Sequence, residues 1–91
     1  MITKMITLQL KNGLEARPAA LFVQLASRFD SQIIVNVSEK QANAKSIMGI
    51  MSLGTIKGEE IELSVSGNDE EQAMNALADF LNSEEPALED N

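Results

Sequence analysis

Two short stretches of the chain carry side chains that can hold or receive a phosphoryl group. The first is Gly13, Leu14, Glu15, Ala16, Arg17 and Pro18. It sets a carboxylate and a guanidinium two residues apart at the start of a helix-like segment. A carboxylate can be phosphorylated to an acyl phosphate. It can imitate a phosphate, with one charge rather than two. It can also simply sit at a helix N-terminus, where the dipole favours an anion. Gly13 reads as a turn residue and Pro18 as a first-turn residue with no N–H to satisfy. By itself this stretch is too short to be specific, and a plain turn into a helix is the better reading.

The second stretch is Lys45, Ser46, Ile47, Met48, Gly49, Ile50, Met51, Ser52, Leu53 and Gly54. Ser46 is the expected N-cap of a short helix over 46–53, its hydroxyl accepting from N–H groups one turn on. A phosphate at that hydroxyl would meet the free N–H groups of the first turn. Ile47, Met48, Ile50, Met51 and Leu53 supply more apolar surface than one helix face can bury. Ile50 and Leu53 are expected in the core, and Ile47, Met48 and Met51 as an exposed patch of the kind that marks an interaction site. Methionine, flexible and polarizable, suits such a patch. Lys45 and Lys40 are the only charges between Glu39 and Lys57. Taken alone, Ser46 is no more than a cap.

Composition removes other chemistries. The 91 residues contain no His and no Cys. That excludes imidazole and thiolate catalysis, disulfides and cysteine zinc sites. No glycine loop of the phosphate-cradling kind and no metal-ligand cluster is present, so an enzyme with its own active site is not expected. Net charge is -7 with pI near 4.4, which argues against direct nucleic-acid binding and against docking on an anionic membrane. The opening residues lack the charged-then-apolar pattern, so no signal peptide is expected, and no apolar run approaches the ~20 residues that span a bilayer. The expected location is the cytoplasm.

The elements that must position the two stretches follow from periodicity. Residues 2–10 alternate as a half-buried strand, with Ile6, Leu8 and Leu10 on one side. Residues 16–29 read as a helix with Phe22, Leu25, Ala26 and Phe29 on its core face and Arg28 in its last turn. Strands are expected over 32–37 and 41–44, separated by a turn at 38–40, and over 59–66, where Ile61, Leu63 and Val65 point inward. A last helix runs from 70 to 82 or 83, with Asp69 and Gln72 at capping-box spacing and Ala73, Leu77, Phe80 and Leu81 as its buried stripe. The order β-α-β-β-α-β-α predicts one α+β domain over residues 1–83: a two-layer open-faced sandwich, a four-stranded antiparallel sheet with three helices on one face. Residues 84–91 read as an acidic flexible tail. With three Phe as the only aromatics, the core is expected to be aliphatic, with Met filling gaps.

The two stretches at this spacing and in this structural context resemble the HPr family, the small phosphocarriers of the bacterial sugar phosphotransferase system. The resemblance extends up to Ser83. In that family the loop reads Gly-Ile-His-Ala-Arg-Pro and the His carries a phospho-imidazole; here the position is Glu15. The 45–54 stretch resembles the regulatory segment of HPr proteins from Gram-positive bacteria, whose Ser is phosphorylated by the HPr kinase/phosphorylase. A branch of the family in Bacillus-type bacteria lacks the His and usually carries Gln there, and residues 16–24 resemble that branch especially. Glu15 departs from both. Of the three roles open to Glu15 (acyl-phosphate carrier, permanent phosphate mimic, or lost carrier site), the last is favoured.

The resemblance implies a non-catalytic regulator of carbon catabolite repression. Ser46 would be its phosphorylation site, and the phosphorylated chain would act as corepressor of the catabolite control repressor CcpA. Arg17, Ala20, Gln24, Ile47, Met48 and Met51 would contact that partner. No cofactor and no metal are implied. The alternatives are an active phosphocarrier, or a modulator that binds a metabolic enzyme in its unphosphorylated form. A monomer and a strand-swapped homodimer both remain open.

Overall fold

The computed structural model describes residues 1–83, so the tail expected over 84–91 lies outside the described residues. The elements follow the predicted order: β1 (Ile2–Thr7), α1 (Ala16–Ala26), β2 (Gln32–Val37), β3 (Lys40–Asn43), α2 (Ile47–Ser52), β4 (Glu60–Ser66) and α3 (Glu70–Asn82). The strands form one antiparallel sheet in the order β1-β4-β2-β3. Cross-strand partners share a face, so Ile6 opposite Ile61, Val35 opposite Leu63 and Ile33 opposite Val65 make one apolar surface. The three helices cover that surface. The other face carries Thr3, Glu62, Ser64, Asn36 and Gln41 and is linked by polar pairs such as Asn36 to Glu62.

The core is aliphatic, as expected. Phe22 is its largest member and meets the half-buried Phe80 with ring centroids 5.7 Å apart, which joins α1 to α3. Met74, absent from the predicted stripe of α3, is fully buried there and is the one methionine inside the core.

The main differences from the sequence reading, three element boundaries and one cap, each have an identifiable reason. The ladder of β1 stops at Thr7, although Leu8 and Leu10 stay buried on the expected side. The Gln9 N–H turns to the Leu81 carbonyl at the end of α3, which draws the chain out of the sheet. The third strand starts at Lys40 rather than 41, because a tight turn at Ser38, with φ of +56°, pairs Val37 directly with Lys40. α1 ends at Ala26 rather than 29, so Arg28 is not in its last turn, and Phe29 packs on the core from beyond the helix. There the Asp69 carboxylate accepts from the N–H groups of Asp30 and Ser31, at 2.9 and 3.0 Å, and from the Ser31 hydroxyl. The Lys45 ammonium donates to the Phe29 carbonyl at 2.7 Å. Continued helix would break these bonds.

The fourth difference is the capping box at 69–72, which does not form. Asp69 occupies the N-cap position of α3, yet its side chain makes no cap bond because it is spent on Asp30 and Ser31. These bonds, the Ser31 hydroxyl first and the Asp30 amide next, hold the Asp69 carboxyl below its usual value. Glu70 accepts from the Gly67 N–H instead.

Candidate functional site

The 13–18 loop is built on a close backbone approach. Gly13 has φ of +72°, and a Cβ on it would lie 2.1 Å from the Thr55 carbonyl oxygen, so only glycine fits. The next residue, Leu14, is fully buried, and its N–H donates to the Thr55 hydroxyl at 3.0 Å. Glu15 then takes the N-cap position of α1 with extended backbone, but its carboxylate makes no cap bond and faces solvent. Ala16 opens the helix at φ of +52°, a left-handed conformation that costs a residue with a Cβ about 1–2 kcal/mol. It is held there between the pinned Gly13–Leu14 backbone and the helix that Pro18 favours.

Arg17 and Gln24 lie two turns apart and are both exposed, with Ala20 half-buried between them. The opposite side of α1 buries Ala19, Phe22 and Ala26. Arg17, Ala20 and Gln24 thus form the solvent-facing stripe of this helix. Among the described residues no ion pair joins Arg17 to Glu15.

The Ser46 segment has the predicted geometry. Ser46 is the N-cap of α2, with extended φ and ψ, and its Oγ accepts from the Gly49 N–H at 3.1 Å. The Ile50 N–H reaches the Ser46 carbonyl at 3.0 Å. Upstream, Asn43 shapes the turn: its side-chain oxygen accepts from the Lys45 N–H at 2.8 Å and its carbonyl from the Ser46 N–H at 3.0 Å. A Cβ at Gly49 would stand 3.3 Å from both Ala42 Cβ and Ser46 Oγ, so glycine keeps the serine oxygen uncrowded. Ser46 itself is exposed.

The division of apolar side chains in α2 is the expected one. Ile50 and Leu53 are buried, while Ile47 is 38% exposed, Met51 44% and Met48 76%. Lys45 does not face this patch's solvent side as a free cation, since its ammonium is bound to Phe29.

α1 packs against α2, and Thr55, just beyond α2, holds the Leu14 backbone. The two stretches are therefore mechanically one unit. Thr55, fully buried, was not legible as a site residue, because a lone Thr between Gly54 and Gly58 carries no periodic signal. The same holds for Ile56, which is 63% exposed and whose Cα lies beside Gly13. Among the described residues, no group of three or more acidic side chains is placed to hold a metal ion. No helix there is long and apolar enough to cross a membrane.

Comparison with known proteins places this geometry. The family model described as "PTS HPr component phosphorylation site" matches residues 2–83. The HPr-like protein Crh of Halalkalibacterium halodurans is 52% identical over 84 residues, 92% of this chain and all of that protein. Among solved structures, HPr-C-His from Thermoanaerobacter tengcongensis superposes with a TM-score of 0.85 at 56% identity, covering 89% of this chain and 91% of that one. The crystal structure of Crh from Bacillus subtilis, described as a swapped-domain dimer, gives a TM-score of 0.74 at 45% identity over 96% of this chain and all of that one. Overall identity does not separate the HPr and Crh branches, so the residues of the loop must.

Proposed function

The chain belongs to the HPr family and is Crh-like within it, and from that premise we propose that it is a phosphorylation-switched regulator rather than a phosphocarrier. A phosphocarrier of this family transfers through an imidazole nitrogen. No His exists anywhere in this chain, and the loop position is Glu15. Glu15 is exposed and makes no cap bond, and among the described residues no partner stands by to activate its carboxylate as a nucleophile. Transfer chemistry is therefore lost while the loop's backbone is kept.

Ser46 takes over as the modified residue. The observation that carries this reading is the exposed Ser46 Oγ, oriented at the start of α2 by the Gly49 N–H and bordered by Ile47, Met48 and Met51. The HPr kinase/phosphorylase transfers a phosphoryl group to that oxygen. The product adds about -1.5 to -2 charge and strong acceptor oxygens beside an apolar patch. The helix need not unwind to receive it. Phosphoserine then pairs with a basic side chain of the repressor CcpA, while Ile47, Met48 and Met51 pack against it and Arg17, Ala20 and Gln24 extend the contact along α1. The acidic chain acts in the cytoplasm as corepressor and does not touch DNA itself.

The experiment is incubation with the kinase and ATP, followed by mass spectrometry of the tryptic peptide 46–57. Phosphate on Ser46 and its absence in Ser46→Ala are expected, with CcpA bound only by the phosphorylated form. No incorporation at Ser46, or equal repressor binding without it, sinks the proposal.

Oligomeric state has its own support. β1 is an edge strand, followed by residues 8–13 outside the ladder, so the same pairing with β4 could be made by the β1 of a second copy. Light scattering across a concentration series separates the two states.

A further inference from the structure

We propose that Met48 and Met51 form an oxidation-sensitive site, at which peroxide converts the docking patch of the unbound phosphoprotein into a polar surface and weakens binding of the partner without removing the phosphate. This rests on the reading of that patch as the repressor-docking face.

The chain has no Cys, His, Trp or Tyr. Thioethers are then its only readily oxidised side chains, and it has five. Their placement is uneven. Met74 is 1% exposed in the core under α3. Met1 and Met5 are exposed at β1, the sheet edge opposite β3, on which α2 packs. Met48 and Met51 alone stand in the apolar patch, one helical turn apart on α2. Every cap bond of Ser46 is made by backbone groups of Gly49, Ile50 and Asn43, so neither methionine side chain takes part in holding the serine.

The chemistry needs only a peroxide. The sulfur lone pair attacks one oxygen of the O–O bond. An S–O bond forms, the O–O bond breaks, the sulfur loses two electrons and the peroxide leaves as water after proton transfer. The product is a methionine sulfoxide, polar and chiral, which thiol-dependent sulfoxide reductases return to the thioether. An apolar contact that must bury two such dipoles without partners weakens. Met48 and Met51 would thereby report oxidant in a protein that has no thiol to do so.

The test uses the full chain, phosphorylated on Ser46 first and then treated with graded hydrogen peroxide. Trypsin divides the chain so that Met48 and Met51 share the 46–57 peptide with Ser46, while Met5 falls in 5–11 and Met74 in 58–91. Mass spectrometry should find sulfoxide in 46–57 well before 58–91, with the phosphate retained. Affinity for CcpA should fall about tenfold, the scale of losing one strong anchor. A Met48→Leu/Met51→Leu double variant, apolar but inert to peroxide, should keep its affinity through the treatment. Oxidation of Met74 as early as Met48, or unchanged affinity with both sulfoxides formed, overturns the proposal. So does equal loss in the leucine variant. If the untreated phosphoprotein itself does not bind, the regulator reading falls and takes this switch with it; unchanged binding after oxidation removes the switch alone.

Discussion

Replacing Thr55 by valine should loosen the 13–18 loop while leaving the core nearly isosteric. Among the described residues, this hydroxyl is the acceptor of the buried Leu14 N–H, at 3.0 Å. A buried donor left without a partner costs about 1–3 kcal/mol. The new methyl group returns about 0.8 kcal/mol through apolar burial. The net loss is therefore about 0.2–2.2 kcal/mol, which for a domain of this size lowers Tm by roughly 1–18 °C. Thr55→Ser keeps the acceptor and gives up one methyl, at about 1 kcal/mol, so stability alone does not separate the two variants. Hydrogen exchange does: the Leu14 amide should exchange faster in the valine variant and keep its protection, relative to the global stability, in the serine one. Urea melts should shift in midpoint with the slope unchanged, since the same surface is exposed on unfolding. A valine variant whose Leu14 amide keeps its full protection relative to the global stability would refute the role assigned to this hydroxyl.

Gly13→Ala should be more severe, because it combines a left-handed φ with a Cβ 2.1 Å from the Thr55 carbonyl; a loss of about 2 kcal/mol or more in a urea melt is expected, and a neutral result would contradict the close approach. Ser46→Ala should cost about 1 kcal/mol even without any kinase, because the Gly49 N–H loses its cap, and thermal melts of the unphosphorylated protein measure it. The Asp69 carboxyl is held below its ordinary value of 3.8 in the folded state. Its contribution is thus fully present above that value and is lost as pH falls below it. Acid titration should show Asp69→Asn already weakened at neutral pH and less sensitive than the parent to acid below pH 3.8, and parallel acid curves would count against the clamp on Asp30 and Ser31.

Much of the candidate site was legible because it depends on neighbours in sequence. Ser46 three residues before Gly49 is enough to make a cap, and the apolar excess of α2 was enough to divide Ile50 and Leu53 from Ile47, Met48 and Met51. The alternation of Ile61, Leu63 and Val65 likewise names a sheet face without any partner strand. Where local signals misled, a distant group had intervened. Asp69 and Gln72 carry capping-box spacing, but the carboxylate answers to Asp30 and Ser31 across the fold. The periodicity of α1 runs on to Phe29, but Lys45 and Asp69 hold the chain that follows Ala26 out of the helix.

By itself the sequence determined the order of elements, the two candidate stretches and the absence of any imidazole, because composition, period and capping are properties of adjacent residues. Only the tertiary structure decided that the two stretches are one unit. Thr55, 41 positions from Leu14, supplies the acceptor that holds the loop, and its backbone forces glycine at position 13. A buried N–H must find an acceptor somewhere, but no rule of spacing says where; the packing of α1, α2 and the segment after α2 says it.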